Sequence, residues 1–384
     1  MIRPFEIHVD QTALDDLGAR LRYPRWPDQI DGAAWRYGTN REYLQRLTAY
    51  WHRNYNWRAN ETKLNALAQF TVEVGGTEVH ALHVLGKGPN PKPLLLVHGW
   101  PDSFFRFVKL IPLLTDPANH GGNAEDAFTV IVPDIPGFGF SRKPTLPGTN
   151  TTSVAGLFAE LMTAFGYDRF FAHGGDFGAS ITEQLGLQFP DRVSAIHLTN
   201  VPPQHARLSI PDLTPEEQAY LRRAAAWDQS EGAYAHLHAT KPETASFGLN
   251  DSPIGLAAWI VEKLHDWSDC NGDLETALTA DEILTNVSIY WFTQTIGSSM
   301  RFYYEKAHRD GPPPGPTYVD VPTGFASFVN DIEPAPRRFA ERFFNVQYWI
   351  ELPHGGHFAA LEVPHVLARQ LRDFFRPYRD HERQ

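Results

Sequence analysis

The chain has 384 residues with 34 Lys+Arg against 45 Asp+Glu, a net charge of −11, which excludes the clustered cation that a nucleic-acid or anionic membrane surface needs. Hydrophobic residues at 42% and charged residues at 21% exclude disorder as the main state and allow a sizeable core. A single cysteine, Cys270, excludes an internal disulfide framework and a Cys-based zinc site.

The opening MIRPFEIHVD has no basic stretch followed by an apolar run, so no signal peptide is expected. Apolar runs all fall short of the ~18 residues that span a bilayer, so a soluble, cytoplasmic protein without a membrane anchor is expected. Asp10 is placed to cap a short helix with Leu14, Leu17 and Leu21 on one face. Pro24, Pro27 and Gly38 break the pattern, and most of the first 70 residues, with four of the ten tryptophans, should wander over a core.

From Phe70 the texture changes. Phe70–Val74 and Thr77–Leu82 alternate around Gly75-Gly76, a hairpin signal. Pro93–Val97, Phe128–Val132, Phe170–Ala172 and Ala195–Leu198 read as short strands buried on both faces. Helical patterns lie between them, around Phe104–Leu114, Ser153–Phe165 and Phe177–Phe189. This alternation predicts an α/β fold, a mostly parallel sheet with helices on both faces. It stops near Val201-Pro202-Pro203, and about 110 helix-like, aromatic-rich residues follow, to Pro312-Pro313-Pro314. Strand signal resumes at Tyr318–Val321 and Val346–Ile350. The expected organisation is an N-terminal segment (1–70), a core (71–203), a helical cap (204–314) and the rest of the core (315–384).

Gly174-Gly175-Asp176-Phe177-Gly178 follows the strand Arg169–His173 and opens a helix. A small-x-nucleophile-x-small pattern in that setting is the nucleophile elbow of the α/β-hydrolase fold. The bland alternative for Asp176 is a helix N-cap. As a nucleophile, a carboxylate is ionised at neutral pH without help. On a carbonyl it would form a reactive anhydride. On a saturated carbon with a leaving group it forms an ester that water must later hydrolyse.

His98-Gly99-Trp100-Pro101 stands directly after a buried strand, where this fold draws one oxyanion-hole amide; the other comes from the residue after the nucleophile. Those amides are Trp100 and Phe177. His357, in Gly355-Gly356-His357-Phe358, stands where the base belongs, and Asp331 is placed to orient it. His354 is a rival base, and Glu333 and Glu362 are rival acids. His80 and His83 are three apart on a strand and face opposite ways. His236 and His238 lack a carboxylate framework, Asp134 with Gly137–Ser141 shapes a turn, and no phosphate or dinucleotide loop is present.

Over almost its whole length the chain resembles the microsomal-type epoxide hydrolases. HGWP, GGDFGA, NDSPIGLAAWIVEK, LTNVSIYW, RFYYE, VPTGFASF and GGHFAALEVP are similar to stretches of that family in the family's order. The opening PFEIHVDQTALDDLGARLRYPRWPD is similar to its wrapping N-terminal region. The resemblance implies an epoxide and water as partners, a diol product, no cofactor and no metal. It implies two cap tyrosines on the epoxide oxygen, at Tyr234 and Tyr303, with Tyr304 a competitor for Tyr303. A phenol can donate to the alkoxide formed on ring opening. Mammalian members usually carry glutamate where Asp331 stands, and aspartate serves in soluble microbial relatives. The alternatives are a dehalogenase on the same core, where Asp-Trp or Asp-Arg would replace Asp176-Phe177, and a silent hydrolase-fold binding protein, which would lack a residue present here. A homodimer is one option left open.

Overall fold

The computed structural model describes residues 1–309 and 317–379. Among the described residues nine strands form one sheet: β1 (Ile2–Pro4), β2 (Gln69–Val74), β3 (Thr77–Val84), β4 (Lys92–Val97), β5 (Phe128–Pro133), β6 (Phe170–Gly174), β7 (Val193–Leu198), β8 (Val319–Phe328) and β9 (Phe344–Leu352). Their order is β1-β2-β3-β5-β4-β6-β7-β8-β9. Pairing is antiparallel from β1 through β3 to β5, and parallel from β5 to the β9 edge. This is the expected α/β-hydrolase fold.

Strand alternation builds a core on each face. Leu95 and Val97 of β4 enter one apolar cluster, and Leu94 and Leu96 enter the other. The first is covered by α5 (Thr151–Ala164) and α6 (Phe177–Gln188), through Val154, Phe158, Ile181 and Leu185. The second is covered by α4 (Ile111–Thr115) and α15 (Pro364–Phe375), through Ile111, Leu114, Leu367 and Leu371. The β2–β3 turn places Gly75 at φ 53° and Gly76 at φ 74°, the positive values that a two-residue hairpin turn requires.

The first 70 residues are more ordered than their breakers imply. Besides α1 (Gln11–Arg22) they form α2 (Arg41–Arg53) and α3 (Trp57–Asn65), whose starts are capped by Asn40 and Asn56. Tyr43, Leu44, Leu47 and Trp51 of α2 join one core and Trp57 and Leu64 of α3 join the other. The breakers confine the irregular path to the residues between α1 and α2. Asp10 precedes α1 but its side chain makes no capping bond.

Between β7 and β8 lie α7 (Pro215–Glu231), α8 (Ala233–Thr240), α9 (Pro242–Asp251), α10 (Pro253–Trp267), α11 (Ala280–Thr293) and α12 (Ile296–Ala307), with no strand among the described residues. The expected end of the insertion at Pro312-Pro313-Pro314, and hence the 314/315 boundary, lies outside the described residues. Two further elements differ from expectation. Phe104–Leu114 splits into a 3₁₀ turn at Phe104–Phe107 and the short α4, because Pro112 has no N–H and is tolerated only in a first turn. The strand expected from Tyr318 begins at Val319 and runs on to Phe328, its register shifting between Val319 and Thr323 around Pro322. Short helices α13 (Arg337–Ala340) and α14 (Ala359–Glu362) complete the C-terminal part.

Candidate active site

Asp176 sits between β6 and α6 with φ 58° and ψ −126°, a conformation that costs an ordinary residue about 1–3 kcal/mol. Its side chain does not cap α6, which removes the N-cap alternative. The glycines around it serve close approach rather than unusual dihedrals. A Cβ on Gly178 would lie 1.9 Å from the Val97 carbonyl oxygen, and one on Gly174 2.2 Å from the Gly178 carbonyl oxygen. A Cβ on Gly99 would meet Asp176 Oδ1 at 2.2 Å. The Asp176 N–H donates to Asn200 Oδ1 at 2.8 Å, pinning the turn from the end of β7.

The two carboxylate oxygens face different partners. Oδ1 accepts the Trp100 N–H at 2.8 Å. Oδ2 lies 3.5 Å from His357 Nε2, which has no hydrogen-bond partner among the described residues. Burial pushes the Asp176 carboxyl up, but His357 and the Trp100 and Phe177 amides outweigh it and hold the group below the ordinary range. Asp176 is therefore ionised at neutral pH.

His357 Nδ1 contacts Asp331 Oδ1 at 2.7 Å. Asp331 follows the end of β8 by three residues, so the strand's extra length delivers it to the imidazole. Burial alone would lower the His357 pKa, but the Asp331 and Asp176 carboxylates raise it to about 9. The rivals stand elsewhere. His354 is exposed, and Glu333 pairs with Arg223 at 3.1 Å. Glu362 accepts the N–H groups of Gly356 at 3.0 Å, Phe358 at 2.8 Å and Asp269 at 2.8 Å.

The insertion brings Tyr234 on α8 and Tyr303 on α12 over this centre. Their rings are 6.0 Å apart and nearly perpendicular. Tyr234 stacks on Trp100 at 5.3 Å, and Tyr303 packs edge-on to Phe177 at 4.6 Å. Burial, with the Asp176 charge beyond it, raises both phenol pKa values, so both stay protonated donors. Tyr304 instead turns outward and stacks on His308 at 4.0 Å. The seven residues singled out in the sequence thus converge on one centre.

Sequence reasoning missed several neighbours. His238, one turn beyond Tyr234, is fully buried 4.9 Å from the Tyr303 ring. Its Nε2 accepts from Trp259 Nε1 at 3.2 Å, and burial lowers its pKa to about 3, so it is neutral. The Lys263 ammonium lies 4.6 Å over the Tyr234 ring. Arg106 donates to Asp102 and to the His357 carbonyl oxygen. The i, i+4 spacings of Tyr234 with His238 and of Asp102 with Arg106 were the usable signals. The remaining contacts join residues far apart in the chain. His80 and His83 do face apart, His80 to Asp134 and His83 to Tyr167, and Asp134 holds the Phe104 and Phe140 amides as a turn former.

Residues 2–107 match the family model described as epoxide hydrolase N terminus, and residues 92–244 match the alpha/beta hydrolase fold. A Stigmatella aurantiaca protein named as a candidate epoxide hydrolase is 44% identical over 379 residues, covering 98% of this chain and 86% of its own. Epoxide hydrolase 1 of Oryctolagus cuniculus is 35% identical over 405 residues, covering 97% of this chain and 88% of its own. Among solved structures, Aspergillus niger epoxide hydrolase superposes with a TM-score of 0.84 at 30% identity, covering 98% of this chain and 97% of that one.

Proposed function

We propose, from the premise that this chain belongs to the epoxide hydrolase family, a two-step reaction centred on Asp176 that turns an epoxide and water into a vicinal diol. The observation that carries the reading is the division of labour at the Asp176 carboxylate, with Oδ1 on the Trp100 amide at 2.8 Å and Oδ2 facing His357 Nε2 at 3.5 Å.

In the first step Oδ2, the oxygen that does not accept from the Trp100 amide, attacks a ring carbon. The ring C–O bond breaks, and the oxygen that leaves as an alkoxide takes its hydrogen bonds and proton from Tyr234 and Tyr303. A donor to a charged acceptor contributes about 1.5–3 kcal/mol, and both phenols keep their protons over the working pH range. The product is a hydroxyalkyl ester whose carbonyl oxygen is Oδ1.

In the second step His357 takes a proton from water, which attacks the ester carbon. Charge develops on Oδ1, where the Trp100 amide already donates, and the Phe177 amide, which also stabilises the Asp176 carboxylate, serves as the second donor. Collapse expels the diol with Oδ2, protonated by His357, whose imidazolium Asp331 stabilises, and the proton left on the Asp176 carboxyl goes to the phenolate formed on ring opening, which restores both groups. The raised pKa of His357 fits this order of events. While Asp176 is an anion, His357 is held protonated. Once Asp176 is a neutral ester its share of that hold is gone while that of Asp331 remains, so the His357 pKa falls, the imidazolium loses its proton to solvent more readily and the base form becomes available when it is needed.

We place 1–70 as a wrapping segment and 204–314 as a cap that carries the two phenols, around a core of 71–203 and 315–384. Cys270, buried and unpaired, supports a cytoplasmic location; among the described residues no helix is long and apolar enough to cross a membrane.

The test is a single turnover of styrene oxide in ¹⁸O-labelled water, with mass spectrometry of protein and diol. Unlabelled diol from the first turnover, and loss of activity in Asp176→Asn, are expected. Label in the first-turnover diol would mean direct attack by water and would overturn the reading.

A further inference from the structure

We propose that Arg106 is a positioning residue for ester hydrolysis: its guanidinium ties the base loop to the loop that carries the Trp100 amide, and so sets the distance between His357 and the Asp176 ester. The proposal rests on the two-step reading above and adds to it a part that the reaction itself does not name.

Arg106 is buried, 3% exposed, six residues beyond Trp100. One terminal nitrogen donates to the Asp102 carboxylate and the other to the main-chain carbonyl of His357. The guanidinium carbon lies 5.5 Å from the centre of the Phe358 ring. A Cβ on Gly175 would lie 3.2 Å from Arg106 Nη2, so the same group also borders the elbow. One planar fork therefore joins the loop that carries the amide to the loop that carries the base, beside the elbow.

The other backbone groups of the base loop are held differently. The Gly356 and Phe358 amides go to Glu362, in the helix that follows, and the His357 amide goes to the Trp267 carbonyl of the insertion at 2.8 Å. Among these ties, only that through Arg106 runs to the loop after β4. Stability does not explain it. A buried ion pair is commonly neutral or worse against apolar residues of similar volume. What the pair supplies is fixed geometry: a guanidinium keeps its charge and its donor plane, and can bridge two acceptors in one plane. A lysine ammonium at 106 can serve Asp102 but has no second fork to span to the His357 carbonyl.

The role acts on one half of the reaction. Alkylation needs Asp176 and the phenols, which Arg106 does not touch. Hydrolysis needs His357 in register with the ester carbon, and a misplacement of about 1 Å costs on the order of 10²-fold. The experiment is rapid quenching of styrene oxide turnover, with intact-protein mass spectrometry, on the full chain. His357→Gln is the reference, and Arg106→Lys and the double variant Asp102→Leu/Arg106→Met are the tests. The double variant removes both charges, so no buried carboxylate is left unpaired. His357→Gln should accumulate the adduct, enzyme plus substrate mass. Arg106→Lys and the double variant should alkylate within about 3-fold of wild type and hydrolyse about 10–100-fold more slowly, with adduct visible at steady state. Hydrolysis within about 3-fold of wild type in a folded double variant, or in Arg106→Lys if the double variant does not fold, overturns the proposal. An equal fall in both steps overturns it too, since a merely structural part would slow both. Absence of adduct in His357→Gln would instead sink the covalent reading itself.

Discussion

Replacing Asp176 by asparagine removes one charge from the centre and imitates the charge of the ester, so its effect on His357 can be worked from one distance. The two groups are 3.5 Å apart. At that separation the attraction is about 1.2 kcal/mol at an effective dielectric of ~80 and about 5 kcal/mol at ~20. At 1.36 kcal/mol per pH unit, that range corresponds to a fall of roughly 0.9 to 3.5 in the His357 pKa. The wild-type value is about 9, so His357 in Asp176→Asn should titrate at roughly 8 or lower. The direction follows from sign alone: an anion beside a base raises its pKa, and removing the anion lowers it. The assay is NMR titration of ring-labelled histidine, with His357→Gln locating the resonance. A midpoint unchanged within about 0.3 would refute the reasoning, because it would mean that Asp331 alone holds the imidazolium.

Other expectations follow from the same geometry. Tyr303→Phe and Tyr234→Phe should each slow alkylation about 10–150-fold, the rate equivalent of one hydrogen bond to a charged oxygen, while Tyr304→Phe stays near wild type; rapid-quench alkylation rates check this. Asp331→Asn should let the ester accumulate, with hydrolysis slowed on the order of 10²–10⁴-fold, seen as adduct in the intact-protein mass. Gly178→Ala should fail on folding rather than chemistry, since its Cβ would meet the Val97 carbonyl oxygen at 1.9 Å; a melting temperature within about 2 °C of wild type would contradict this.

The elements visible in the sequence were those whose local pattern matches their role. The βαβ alternation was legible because β4 to β7 are short apolar runs bounded by turn residues. Asp176 was legible because small residues flank it at fixed offsets, and His357 because two glycines precede it. The N-terminal helices were less so: α2 keeps its apolar stripe, but nearby tryptophans and breakers obscure it. The last strand before Asp331 was cut short at Pro322, which ordinarily ends a strand and here sits at a register shift. Arg106 and Glu362 gave no local sign that they hold the base loop, although Asp102–Arg106 and Phe358–Glu362 are i, i+4 pairs. Each meets the base loop through its backbone, and backbone partners leave no mark in residue type. Tyr234 and Tyr303 were selected by resemblance, since nothing in their own surroundings separates them from the other twelve tyrosines.

The insertion holds the base loop at three points, through the Trp267 carbonyl on the His357 amide, the Asp269 carboxylate on the Gly355 amide and the Asp269 amide on Glu362. Lifting the end of α10 away from the core would strip all three. The roof over the site and the base beneath it are therefore wired as an interlock: a chamber opened at that corner is one in which the second step is disarmed. An epoxide admitted there would meet a base still out of register, and hydrolysis would wait for the door to shut.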